Sequence, residues 1–320
     1  MTALAEFLRK LLRDAVSISW TLFKLMVPVI VVVKVLKELG AEELLALPLA
    51  PLMELTGLPA EMGLVWASAM VTNLYGGIVA YAALADQAHL SVAQVTVLTS
   101  MMLIAHSLPV ELRVAQQAGA RLRAMLILRV GAALLFGALM SRLYAVGGWL
   151  QEPARLLWRP EPPEAGWLAW ALREVEGLLL IFAIVVALLA TLRLLDRIGF
   201  IALVNRGLAP LLRLLGIGPA AMPLALVGMT LGISYGGGLL IAESRAGHVG
   251  RLDVLYTMSL LGLSHSLIED TLLMVVVGGH LSGILWARLL FSLVIVFLLV
   301  KVVARVPAPF LERHLVRARA

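Results

Sequence analysis

Apolar stretches of membrane-spanning length recur along the chain, each set off from the next by a short polar or proline-rich interval. Val16 to Leu36 is the first. Ala41 to Gly57 follows, and its Pro48, Pro51, Glu42, Glu43 and Glu54 suit a segment lying in the interface. Pro59 to Leu84 is apolar but interrupted by Asn73-Leu74-Tyr75-Gly76-Gly77, and Val92 to Pro109 and Met125 to Tyr144 are two further predicted spans. They are joined by the Arg-rich interval Glu111 to Ala124. The second half repeats this plan: Leu172 to Leu192 predicts a span and Asp196 to Leu215 an interfacial helix. Pro219 to Glu243 is interrupted by Ser234-Tyr235-Gly236-Gly237-Gly238, and Val254 to Val277 and Leu281 to Val303 complete the set.

The repetition extends to individual residues. Ala105-His106-Ser107-Leu108-Pro109-Val110-Glu111 is echoed by Ser264-His265-Ser266-Leu267-Ile268-Glu269-Asp270, with the two histidines 159 positions apart. Lys34 with Arg193, Gly40 with Gly199, Gly57 with Gly216 and Arg129 with Arg288 keep that offset, whereas the Tyr-Gly-Gly pair is offset by 160. The chain reads as a duplication.

Each interrupted segment has roughly 25 residues, about 37 Å as one helix or about 18 Å per arm as a hairpin, so length does not separate a span from a re-entrant hairpin. Charge does. With the N-terminus cytoplasmic and both segments spanning, Arg113, Arg121, Arg123, Arg193, Arg197, Arg206 and Arg213 all fall outside. With both as hairpins these arginines become cytoplasmic, and only Arg155 and Arg159 are external. Hairpins leave three spans per half, and an odd number turns the second half upside down.

The predicted fold is therefore an all-α polytopic membrane protein of two inverted repeats, each with three spans, an interfacial helix and a re-entrant hairpin. The expected layout is a basic interfacial helix (1–15), a first repeat (16–145), an external linker (146–170), a second repeat (171–303) and a basic cytoplasmic tail (304–320). Met1 to Ala15 carries Arg9, Lys10 and Arg13 but no small-residue cleavage site, so it does not read as a cleaved signal peptide. Trp149, Trp158, Trp167 and Trp170 bracket the linker as an interfacial belt.

Composition agrees: 61% hydrophobic and 14% charged residues, with a mean hydropathy of +0.98, place the chain in a bilayer of the bacterial inner-membrane type. The absence of cysteine rules out disulfides and thiolate metal sites. The net charge of +6 resides in loops and tails beside apolar spans, where topology explains it better than nucleic acid does. No phosphate-binding loop of the G-x-x-x-x-G-K-[ST] type occurs.

The order of span, interfacial helix, hairpin and two spans, used twice in opposite senses, resembles the core of concentrative nucleoside transporters. Tyr235-Gly236-Gly237-Gly238 followed by Ser264-His265-Ser266 resembles the gate (nucleoside-recognition) domains, which also occur in the ferrous iron transport protein B family and in spore maturation proteins. The resemblance implies a transporter with a midplane site. The chain departs from the iron transporters in having no GTPase domain and no cysteine after the hairpin glycines, and from the family's Ser-rich, Arg-containing break in having His-Ser.

The candidate chemistry follows from inverted repeats whose broken helices meet near the midplane. His106, His265, Glu111, Glu269 and Asp270 form a nitrogen and oxygen set suited to Fe(II), Mn(II) or Zn(II), with Glu269 four residues after His265 and so on its helical face. Set against this are two other readings: capping or packing histidines beside acids paired to Arg113 or other arginines, and a proton relay. Asn73, Tyr75, Gly76, Gly77, Ser234, Tyr235, Gly236 and Gly237 at the hairpin tips, with Ser107, Ser264 and Ser266 at the breaks, are the candidate solute contacts. Close helix packing is the alternative use of the glycines. Lys24, deep in the first span, is expected to pair with Glu61, Glu111 or Glu243, and Arg129 and Arg288 to snorkel or pack near span ends.

These features point to transport of a small polar solute, first a divalent metal cation and second a nucleoside or other small organic solute. A membrane scaffold is the reading from a different class. No enzyme is expected, because adjacent Ser and His on a helix point about 100° apart. No cofactor is expected beyond a divalent metal as substrate. The expected partners are lipid and solute, without nucleic acid, and homo-oligomerisation is left open.

Overall fold

The computed structural model describes residues 3–39, 47–154 and 166–317. Glu42, Glu43, Arg155, Arg159 and Trp158, with the middle of the predicted linker (155–165), lie outside them. All elements among the described residues are helical, and six stretches are long and apolar enough to cross a membrane.

Helix α1 (Ala3–Glu38) is continuous, so the basic segment is not a separate interfacial helix. Neither glycine nor proline stands near Ala15 to end it. A 3-10 turn (Leu47–Leu49) and the short α2 (Ala50–Leu55) lead to the first hairpin, α3 (Met62–Val71) and α4 (Leu74–Ala88). Then come α5 (Val92–Ile104), α6 (Leu108–Ala118) and α7 (Leu122–Gly147). The second half follows the same order: α8 (Trp167–Arg197), α9 (Phe200–Leu214), the hairpin α10 (Met222–Leu231) and α11 (Ile233–Arg245), then α12 (Arg251–Ser264) and α13 (Glu269–Val276). A π-helical segment (Ser282–Ala287) runs into α14 (Arg288–Val303), and α15 (Ala308–His314) closes the chain.

The backbone repeats as the sequence does. Gly57 and Gly216 both have φ 70°, Ser107 and Ser266 have 47° and 49°, and Gly119 and Gly278 have 122° and 104°, each pair 159 positions apart. Such left-handed conformations are uncommon for serine, so their recurrence is evidence of a shared local fold.

Contacts at the two ends of the molecule locate the bases of the two hairpins. Gln94 Nε2 donates to Gly57 O at 3.0 Å, which sets the base of the first hairpin beside the start of α5. Gly218 N donates to Asp253 Oδ1 at 2.9 Å and Ser244 Oγ to Ala118 O at 2.8 Å, which sets the base of the second hairpin beside the start of α12 and the far end of α6. The hairpins thus enter from opposite ends.

Both hairpins reach the breaks in the spans that follow them. Ser107 N donates to Ala69 O at 3.0 Å, and Ser266 N to Gly228 O at 3.3 Å. The broken spans Val92–Ala118 and Arg251–Val276 are mostly buried, whereas Trp167–Arg197 is mostly not, so the broken spans form the centre. Lipid-suited faces lie at the periphery, with Trp20, Val146, Leu168, Trp286 and Leu290 exposed.

Two sequence expectations change here. The second predicted span does not stop at Pro109, because Pro109 occupies the first turn of α6, where the missing N–H costs no hydrogen bond. The span continues to Ala118, and the Arg-rich interval shrinks to a turn around Gly119 and Ala120. The Tyr-Gly-Gly motifs are not the hairpin tips. The helices break at Thr72-Asn73 and at Gly232, and Tyr75 and Tyr235 lie in the first turns of the returning arms.

Candidate functional site

A break at Ala105–Ser107 and another at His265–Ile268 interrupt the two central spans close to their middles. They bring His106 and His265 together, with ring centroids 5.1 Å apart and planes inclined by 41°. Both side chains are almost fully buried. Each ring is oriented by its own preceding turn: His106 Nδ1 donates to Met102 O at 2.9 Å and His265 Nδ1 to Leu261 O at 2.7 Å. A carbonyl only accepts, so the Nδ1 atoms carry protons, and Nε2 is a lone pair wherever the ring is neutral.

Both Nε2 atoms face one oxygen. Glu111 Oε1 lies 3.3 Å from His106 Nε2 and 3.4 Å from His265 Nε2. The other carboxylate oxygen, Oε2, accepts from Arg129 Nη1 at 2.5 Å, and Arg129 Nε donates to Ile104 O at 2.9 Å. Asp270 Oδ2 stands 3.9 Å from His265 Nε2. With both rings neutral, two nitrogen lone pairs and a carboxylate oxygen converge with no donor of their own, which is repulsive unless a proton or a cation is shared among them.

The spacing suits a metal ion. Bonds of about 2.1 Å in a tetrahedral site separate neighbouring donor atoms by about 3.4 Å, and the Nε2 to Oε1 distances of 3.3 and 3.4 Å fall there. Donor atoms of His106, His265 and Asp270 all lie within 4.8 Å of one another. Glu111 and Asp270 are offset in charge by the buried Arg129 and Arg288, so the cluster without an added cation is close to neutral.

Glu269 is not part of this set. His265 is extended (φ −93°, ψ 171°) and ends α12, so the helical phase that would put Glu269 on the face of His265 is lost before α13 begins. Asp270 takes that place, its backbone N donating to Ser266 O at 3.1 Å. Ser264 is buried without a hydrogen-bond partner for its hydroxyl among the described residues. Ser107 serves chiefly through its left-handed backbone.

The hairpin glycines are packing residues here. A side chain at Gly77 would meet Ala69 Cβ at 2.7 Å, one at Gly236 would meet the backbone of Gly228, one at Gly76 the hydroxyl of Thr72, and one at Gly237 the side chain of Val114. Asn73 caps α4, its Oδ1 accepting from Gly76 N at 2.9 Å. Tyr75 is partly buried against the core. Ser234 and Tyr235 lie in α11.

Several residues carry more of the site than their positions in the sequence suggested. Arg129 and Arg288 do not snorkel; both are fully enclosed, and Arg129 braces Glu111. Ser100 and Ser259, again 159 apart, are buried one to two turns before the histidines with hydroxyls unpartnered among the described residues. The shared offset was the available signal. Lys24 pairs with no acid among the described residues: it is exposed over the Trp20 ring at 5.4 Å, while Glu111 is held by Arg129 and Glu243 by His248. Glu61 is partly buried at the start of α3.

No protein-family model and no solved structure matches the chain. The chain is similar to YvoD of Bacillus subtilis (strain 168), described as an uncharacterized membrane protein, at 28% identity over 263 residues that cover 81% of this chain and 83% of the relative. That likeness, with six apolar helices of spanning length, makes this a multi-pass membrane protein.

Proposed function

We propose that this protein is a gate-domain type transporter that moves a divalent metal cation through the point where its two broken spans meet. The carrying observation is the convergence of two imidazole Nε2 atoms on one carboxylate oxygen at the point where the two broken spans meet. Such a group of donors has little use in helix packing, because an apolar contact would be less costly there. Inverted repeats and half-helices ending at a central site support a mechanism of alternating access.

The direct test is uptake of Mn(II), Fe(II) and Zn(II) into proteoliposomes by the full chain and by the double variant His106→Ala, His265→Ala. Saturable uptake that the variant loses supports metal transport. Uptake of none of the metals by the wild-type protein sinks it. A second reading, transport of a nucleoside or similar polar organic solute, draws support from the unpartnered hydroxyls of Ser100, Ser259 and Ser264 near the breaks. Uridine and adenosine belong in the same uptake assay. We also place both termini in the cytoplasm, from the distribution of arginines; a Gln117→Cys variant, exposed at the end of α6, should react only with reagent on that side.

A further inference from the structure

We propose that the basic end of the molecule holds a built site for the phosphate-bearing headgroup of an anionic membrane lipid. The site is made by the chain's C-terminal segment, which is strapped beneath the turn between α6 and α7. Arg121 N donates to Leu315 O at 2.8 Å and Arg317 N to Gly119 O at 2.8 Å, and Ala120 bridges to Val316. Val316 is buried against the core, so the strap is anchored by packing as well as by hydrogen bonds.

The strap fixes an arrangement of charge. A cavity of about 540 Å³ is lined by Gln116, Arg121, Leu122, Arg123, Arg313, His314 and Arg317. Arg121 is committed to the strap, donating from Nε and Nη2 to Glu312 O at 3.1 and 2.6 Å. Arg123, Arg313 and Arg317 have no carboxylate partner among the described residues, and the neighbouring Glu312 is taken by Arg251 at 2.6 Å. Three free guanidinium groups around one concavity suit a phosphate, which they can grip through paired N–H donors.

The surroundings favour a lipid over a soluble phosphate. Leu126 and Ile127 stand three and four residues beyond Arg123 on α7, hence on the same helical face, and both are exposed. Phe310 is exposed on α15. A headgroup held at Arg123 can therefore lay an acyl chain along Leu126 and Ile127. None of the lining residues belongs to the histidine cluster, and the site is independent of what that cluster carries.

The test is lipid binding to the delipidated full-length protein by native mass spectrometry. The probes are phosphatidylglycerol, phosphatidylcholine and inorganic phosphate, and the variant is Arg123→Gln, Arg313→Gln, Arg317→Gln. Wild-type protein should prefer phosphatidylglycerol, and the triple variant should lose on the order of 100-fold in affinity, at about fivefold for each basic side chain near the surface. The matching triple lysine variant should retain most of the binding, which separates lost charge from lost fold. Equal retention of phosphatidylglycerol by the wild-type and glutamine proteins overturns the site. Binding of inorganic phosphate as tight as that of the lipid overturns the lipid assignment in favour of a soluble phosphate.

Discussion

His106, Glu111 and Arg129 form a closed chain of contacts, whereas His265, Asp270 and Arg288, each 159 positions further on, do not. Arg129 reaches Glu111 at 2.5 Å; Arg288 has all three guanidinium nitrogens buried without a hydrogen-bond partner among the described residues, and Asp270 Oδ2 is likewise unpartnered. Two differences in sequence account for this. Aspartate is shorter than glutamate by one methylene. Arg129 also passes over Gly262, where an added Cβ would lie 3.3 Å from its Cδ, and the position equivalent to Gly262 in the first repeat is Leu103. The cleft that admits Arg129 has no counterpart for Arg288. One carboxylate is braced and the other is left free to engage a ligand.

The hairpins differ in the same sense. The returning arm α11 packs along α6, while its counterpart α4 packs along α1, and the equivalent pairing of α4 with α13 is at most marginal. The two copies of one hairpin are therefore packed in unlike surroundings. Between them, α1 and α8 form a separate apolar layer through Met26, Ile30, Ile181 and Val185, tied at one end by the ion pair of Asp14 and Arg193.

The largest expected effect separates the two carboxylates. Glu111→Gln leaves Arg129 buried without its counter-charge and should cost about 3 kcal/mol or more of stability, whereas Asp270→Asn should cost about 1 kcal/mol or less. Chemical unfolding in detergent measures both, and equal losses would mean that the two halves are braced alike. Next come the hairpin glycines. Gly236→Ala drives a methyl group into the backbone of Gly228 and should cost about 3 kcal/mol, against about 1 to 2 kcal/mol for Gly77→Ala, whose neighbours are the side chains of Ala69 and Met102. If the order is reversed in melting experiments, the assignment of Gly236 as the tighter crossing fails.

Gly262→Ala should have a smaller effect, about 1 kcal/mol, because the Arg129 side chain can move by a few tenths of an ångström. A neutral result would show that Gly262 does not set the path of Arg129. Smallest is Ser266→Gly, which replaces a serine at φ 49° and should change stability by within about 1 kcal/mol, toward gain. A marked loss there would indicate that the Ser266 hydroxyl, and not only its backbone, holds Asp270.

Much of this architecture was legible in the chain itself. The offset of 159 located the repeats, and the His-Ser pairs marked the breaks. The missed features have physical reasons. Pro109 read as an end because proline breaks helices from within, yet at the first turn it begins one, and that places Glu111 inside the membrane beside His106. Arg129 looked close enough to a span end to snorkel, but its neighbours on α5 and α12 enclose it. The Tyr-Gly-Gly offset of 160 misaligned the hairpins: Gly77 N bonds Asn73 O and Gly236 N bonds Gly232 O, so the structural offset stays at 159. No local pattern distinguishes a glycine that lines a site from one that lets two helix arms cross.

The central claim is that the two breaks form one shared cation site and not two separate ones. Isothermal titration calorimetry of the full chain with Mn(II), Fe(II) and Zn(II), repeated on His106→Gln and His265→Gln singly, tests it most directly. The expected result is one ion per chain, with binding abolished by either substitution alone. Two ions per chain, each lost with only one histidine, or binding that survives both substitutions, would contradict it.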